Sequence, residues 1–259
     1  MTYIKINHQE IYYSFRNHSS SENLVLIHGA GGSESFWPLA FKKNPIANYY
    51  AVDLEGHGKS AGKGLKTIQD YANFVEKFIE QLNLHSVILF GHSMGGAIAL
   101  SLAIKNPTWL SKVVLLSTGA RLKVHPIFLE KLKTDFKHAI DQVLETIYGN
   151  SISPLIIKEA RKYLLQFGSH KLLNDFNACN DFDLMNDLDR IEVPTLILAG
   201  ENDQVTPLKY SEYLQQKIKH SIIKVIPQGN HMFFLEKPEE VKKALNDFLN
   251  PHRSFSIPK

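Results

Sequence analysis

A single cysteine, Cys179, leaves no partner for an intrachain disulfide in these 259 residues. Nothing in the chain therefore calls for an oxidising compartment, and the cytoplasm is the expected location. Nor does one sign of charge prevail: 29 Lys and Arg stand against 26 Asp and Glu, a formal net charge of +3, with the lysines dispersed along the chain. Without a basic arm or stripe, nucleic acid is not an expected partner. No run approaches the roughly 18 to 20 uninterrupted apolar residues of a membrane-crossing helix, so no membrane association is expected. The opening "MTYIKINHQEIYYSF" lacks the basic start and long apolar stretch of a secretory leader, and alternates instead like two short strands. Zinc-ligand spacings such as H-E-x-x-H are missing, so no metal is expected. What the chain has is 44% hydrophobic residues, enough for one large core or a core with a modest insertion.

Six short apolar runs, at 22–29, 49–54, 85–91, 111–118, 193–200 and 221–227, end near Gly, Asp, Thr or Pro, as strands buried on both faces do. Helical patterns over 67–83, 94–107, 208–218 and 238–249 lie between several of them; the first places Ile68, Tyr71, Phe74, Val75, Phe78, Ile79 and Leu82 on one stripe. Alternation of this kind predicts an α/β fold, a mostly parallel, doubly wound sheet. The rhythm breaks at 119–188, where three or more amphipathic helices follow one another without a strand. This segment is expected to be a helical lid on a core made of 1–118 and 189–259, with a loose tail "PHRSFSIPK".

Within this frame, "LFGHSMGGAIAL" sets Ser93 between glycines where an apolar strand gives way to a helix. Gly91-His92-Ser93-Met94-Gly95 fits G-x-S-x-G, a strained turn that lifts a serine hydroxyl above a sheet. A serine needs a base and a stabilised oxyanion before it can attack. Asp203, three residues beyond the strand "VPTLILAG", is the expected acid, with Glu201 as competitor; His231, on the Gly-Asn loop of "VIPQGNHMFF", is the expected base. The chain order Ser, Asp, His suits this arrangement. His92 adjoins the serine but should point away from it as a structural residue. For the oxyanion, the backbone N–H of Met94 and that of Ala30 in "LIHGAGGSESFW" are the expected donors, with Gly31 next. Gly31, Phe128, Leu132, Phe136, Phe167 and Phe176 are the candidate substrate-binding residues.

Together "LIHGAGG", "VDLEGHGKS", "GHSMGG", "GENDQVTP" and "GNHMFFLEKPEE" resemble the α/β-hydrolase superfamily over nearly the whole chain. The resemblance implies Ser93 as nucleophile, Asp203 as the acid that orients the base, His231 as general base and then acid, and an inserted helical cap between the sixth and seventh strands. It implies no cofactor. Among members it looks most like small carboxylesterases and their enol-lactonase and biotin-precursor methylesterase relatives. One departure is Glu55, where many relatives have Arg. A small-molecule ester is the expected substrate, cleaved by a serine hydrolase that is a monomer or a homodimer. Lactone or C–C bond hydrolysis by the same triad, cofactor-free perhydrolysis, and a ligand receptor on a hydrolase scaffold are the alternatives. No arginine cluster is evident to hold a strongly anionic substrate.

Overall fold

A computed structural model describes residues 2–149 and 152–250; the tail expected to be loose lies outside them. Eight strands form one sheet: β1 (Thr2–Ile6), β2 (Gln9–Arg16), β3 (Asn23–Ile27), β4 (Asn48–Val52), β5 (Val87–His92), β6 (Leu110–Leu116), β7 (Thr195–Gly200) and β8 (Ser221–Ile226). Their order is β1-β2-β4-β3-β5-β6-β7-β8; the first two are antiparallel to their neighbours and β3 to β8 run parallel. The pleat sorts side chains strictly. Val25, Ile27, Leu89, Val113, Leu115 and Ile197 enter one core, while Leu24, Leu26, Ile88, Phe90, Val114 and Leu196 enter the other.

Each face is covered by helices. Against the first lie α2 (Ile68–Gln81) and α3 (Met94–Ala103), and α8 (Leu208–Lys217) adds Leu214; against the second lie α1 (Leu39–Lys42) and α10 (Pro238–Leu249). Helix α2 starts where Thr67 Oγ1 accepts from the Asp70 N–H at 3.0 Å, and its predicted stripe is buried from Ile68 to Ile79, with Leu82, just past the helix end, half-buried. All ten residues of α3 are buried, which is why its sequence has no polar face. It stops at Ala103, earlier than its apolar pattern suggests, because Asn106 takes φ +45° and Pro107 follows. Strand β8 departs from the expectation of two buried faces: it closes the sheet edge, leaving Ile222 and Val225 exposed.

Between β6 and β7 the chain leaves the sheet and builds α4 (Pro126–Thr134), α5 (Phe136–Ile147), α6 (Pro154–Phe167) and α7 (Ser169–Asp181). Prolines at the first turn of α4 and α6 suit a position that needs no N–H donor. The two ends of this helical insertion are fastened together. The Leu184 N–H donates to Ala120 O at 2.8 Å, and Arg121 and Asp183 form an antiparallel bridge. A short α9 (Phe233–Glu236) follows β8.

Candidate active site

Strand β5 runs straight into α3 through Ser93, whose backbone sits at φ +52°, ψ −115°, a conformation that costs a non-glycine residue about 1 to 3 kcal/mol. The turn survives because its neighbours lack side chains. A Cβ on Gly91 would strike the Gly95 carbonyl, and one on Gly95 would strike Ile27 O of the adjacent strand. Hydrogen bonds hold the serine backbone on both sides: Ser93 N–H donates to Leu116 O at 2.9 Å and Thr118 Oγ1 donates to Ser93 O at 2.8 Å.

Asp203 and His231, 28 residues apart in sequence, meet beyond the ends of β7 and β8. His231 Nδ1 donates to Asp203 Oδ2 at 2.9 Å. The carboxylate also receives the N–H groups of Val205 and Thr206, each at 2.9 Å, and the Thr206 hydroxyl at 2.8 Å. Burial would raise the Asp203 pKa, but the charge and hydrogen bond of His231 and the Thr206 donors outweigh it and hold the acid well below the usual carboxylate range. The competing acid Glu201 is exposed and accepts instead from the Gln228 N–H at 2.8 Å. His92 is buried, and its Nε2–H donates to the His231 carbonyl at 3.1 Å. Burial and the neighbouring His231 lower its pKa to about 3, so the ring is neutral.

The segment His28–Gly32 faces the serine. Gly32 N–H donates to Gly29 O at 3.0 Å, closing a turn with Ala30 and Gly31 at its centre, and Gly31 has φ +60°. Buried His28 braces it: the Leu54 N–H donates to His28 Nε2 at 3.1 Å, which leaves Nδ1 to donate to Gly29 O at 2.8 Å. That tautomer is neutral, in keeping with a pKa lowered to about 3 by burial and by His57. Gly31 N–H is already taken by Asp175 Oδ2 at 2.8 Å. Among the described residues, neither Ala30 N–H nor Met94 N–H meets a protein acceptor. No hydrogen bond joins Ser93 Oγ to His231 among them either; catalytic hydrogen bonds often tighten only around substrate.

Ser93 and His231 open onto a cavity of about 530 Å³ between sheet and insertion. Ala30, Gly31, Phe128 and Phe176 are on its wall, the two phenylalanines edge to face at 5.0 Å, together with Leu144, Leu164 and Leu172. Three expected lining residues are elsewhere. Leu132 is fully buried among the cap helices and Phe136 packs against the same cluster. Phe167 packs against His57, the rings tilted by 40° with centroids 4.7 Å apart. Helical periodicity marks an apolar stripe, but a stripe on a cap helix can face a neighbouring helix as readily as a cavity. The wall also holds Lys123, His125 and Lys131 and, among the described residues, no Asp or Glu. Separated in sequence by other residues, they gave no cluster to notice.

A second polar group went unnoticed in the sequence. Asp175 of α7, completely buried, accepts from Gly31 N–H, from His57 Nε2 at 2.8 Å and from Tyr71 Oη at 2.7 Å. An aspartate in "LLNDFNACND" reads as a solvent-facing helix residue; only the fold shows that it points into the core.

Comparison with known proteins agrees with this architecture. A solved structure described as a thermophilic esterase superposes with a TM-score of 0.82 at 31% identity, covering 96% of this chain and 97% of the other. The (E)-2-((N-methylformamido)methylene)succinate hydrolase of Acinetobacter baylyi is 28% identical over 88% of this chain and 90% of its own length. The pimeloyl-[acyl-carrier protein] methyl ester esterase of Aliivibrio salmonicida is 26% identical over 94% and 98% respectively. The model of the alpha/beta hydrolase family matches residues 24–244, which take in the parallel strands β3 to β8 and the helical insertion, and the chain belongs to that family.

Proposed function

We propose that this protein is a serine hydrolase that cleaves small to medium carboxylic esters through an acyl-enzyme. The observation that carries the reading is that two N–H donors, Ala30 on the wall of the cavity and Met94 directly after a strained Ser93, meet no acceptor among the described residues, while Ser93 and His231 line that same cavity. Two donors held ready at that place suit the oxyanion of a tetrahedral intermediate. Taking Gly31 N–H out of play leaves Ala30 as the second donor.

In this mechanism Ser93 Oγ attacks the ester carbonyl as His231 Nε2 takes its proton. Asp203, bonded to Nδ1, fixes the tautomer that leaves Nε2 unprotonated for the task and stabilises the imidazolium. The tetrahedral oxyanion rests on the Ala30 and Met94 N–H groups. It collapses as His231 returns the proton to the leaving alcohol, and water then repeats the cycle on the acyl-serine. A cavity of about 530 Å³ with a largely apolar wall accommodates a small or medium acyl group. The relatives named above act on an ester and on a substituted succinate, so a lactone or other acyl bond opened by the same residues is the neighbouring reading.

The test is hydrolysis of p-nitrophenyl esters from acetate to dodecanoate, run beside a panel of lactones, with wild type and Ser93→Ala. A short-chain optimum that disappears in the variant supports the assignment; full activity without the serine hydroxyl ends it.

A further inference from the structure

Resting on the reading that Ala30 and Met94 hold the oxyanion, we propose that Asp175 is a positioning residue for that site: a carboxylate on the cap that keeps the Ala30–Gly31 turn in its working form. The cap and the transition state are thereby coupled.

The argument begins with the turn. A four-residue turn closed by Gly32 N–H to Gly29 O has two common forms that differ by a flip of the central peptide, here Ala30–Gly31. Gly31 at φ +60° belongs to the form that requires a positive value at this position. Its N–H, which belongs to the central peptide, is anchored on Asp175 Oδ2 at 2.8 Å. Flipping that peptide would lose the bond and turn a carbonyl oxygen towards the carboxylate. Asp175 therefore selects one form of the turn, and with it the setting of the preceding residue, Ala30. Leu164 and Leu172, from α6 and α7, close over Gly31 from the cap side so tightly that a Cβ there would lie 2.9 and 2.7 Å from them. Tyr163 of α6 holds the next residue, its hydroxyl donating to Gly32 O at 2.9 Å.

A buried carboxylate is costly unless every oxygen is satisfied. Here the core supplies the partners. Tyr71 donates to Oδ1 at 2.7 Å and itself accepts from Leu65 N–H at 3.0 Å. His57 donates through Nε2 to Oδ2 at 2.8 Å and through Nδ1 to Glu55 O at 3.0 Å. With both ring nitrogens facing oxygen acceptors, His57 is an imidazolium. Burial would lower its pKa, yet the Asp175 charge and hydrogen bond raise it. Docking the cap needs no such group, since apolar contacts would do it at lower desolvation cost. What an acceptor adds is a grip on one backbone N–H.

Asp175→Asn keeps the shape but offers one acceptor oxygen where three donors converge. The experiment measures p-nitrophenyl butyrate kinetics and the Ki of an alkyl trifluoromethyl ketone, which mimics the tetrahedral intermediate when it adds to serine. Expected in Asp175→Asn is a fall in kcat of about 10- to 100-fold with KM within about 3-fold, and a rise in Ki matching the fall in kcat/KM. Tyr71→Phe, which removes one of the donors holding the carboxylate, should show the same split at about 2- to 10-fold, and it decides the matter if Asp175→Asn does not fold. Lys171→Ala removes another link between α7 and the core, the Nζ donation to Gly56 O at 2.9 Å, without touching the turn. It should leave the Ki within about 2-fold, because lost packing alone does not discriminate the transition state. An unchanged Ki in folded Asp175→Asn (in Tyr71→Phe, should Asp175→Asn not fold), or an equal loss in Lys171→Ala, overturns the proposal. If wild type itself neither hydrolyses the ester nor binds the ketone, the serine-hydrolase reading has failed and takes this one with it.

Discussion

His92 donates its Nε2–H to the carbonyl of His231 at 3.1 Å, so the residue beside the candidate nucleophile steadies the backbone of the candidate base. His92→Ala leaves that buried carbonyl unpaired, which typically costs about 1 to 3 kcal/mol. The expected result is a lower Tm and a kcat reduced by about 10-fold, with KM little changed. Steady-state kinetics and thermal unfolding on one preparation check both; an unaffected kcat would leave His92 as packing alone.

Ser93 offers a comparison between two inactive variants. Ser93→Gly and Ser93→Ala both lack the hydroxyl, but only glycine adopts φ +52°, ψ −115° without strain. Ser93→Gly should therefore be more stable than Ser93→Ala by about 1 kcal/mol. Equal denaturant midpoints would show that the turn stores no strain.

Acid should unfold this protein through its two neutral buried histidines. His28 and His92 have folded pKa values of about 3, against about 6.5 in an unfolded chain. Below pH about 6.5 the unfolded state binds protons that the native state refuses, so stability falls with falling pH by up to about 1.4 kcal/mol per pH unit for each histidine. His57 acts in the opposite direction. Its pKa is raised in the fold, so its contribution is complete below pH about 6.5 and is lost as pH rises through the folded value. Tm measured from pH 4 to pH 9 should peak between these limits, and His92→Gln should flatten the acid limb. A Tm unchanged between pH 6.5 and pH 5 contradicts the assignment.

The cavity wall bears Lys123, His125 and Lys131 and, among the described residues, no carboxylate. Among the described residues Lys131 Nζ meets only a neutral partner there, Gln142 Oε1, at 2.9 Å. An ester whose acyl chain ends in a carboxylate should therefore have a KM lower, by about 5- to 10-fold at low salt, than one ending in trimethylammonium. Raising the salt to 0.5 M or substituting Lys131→Gln should narrow the gap. No difference between the two esters would mean that the cations face solvent.

Sheet, flanking helices and helical insertion were legible because each rests on local pattern: apolar runs for β3 to β7, a period near 3.6 for α2 and α10. Ser93, Asp203 and His231 stood out because turn chemistry and chain order mark them. The cavity wall did not, since Leu132, Phe136 and Phe167 satisfy the same periodicity as Phe128 and Phe176 and differ only in which neighbour they meet. Asp175 was invisible for a related reason. Its partners Gly31, His57 and Tyr71 are more than 100 residues away in the chain, and no local signal announces a contact of that range.

The fastening at Ala120 and Leu184 makes the insertion a module in the engineer's sense. A segment whose ends are already joined imposes almost no loop-closure constraint on the body it leaves. Cap segments from other hydrolases could be spliced between these two residues, exchanging the substrate wall while the strand that presents Ser93 and the loops that bear Asp203 and His231 stay in place. Gly31 sets the terms of such a graft: a foreign cap needs an acceptor for its N–H, or the recipient turn must manage without one.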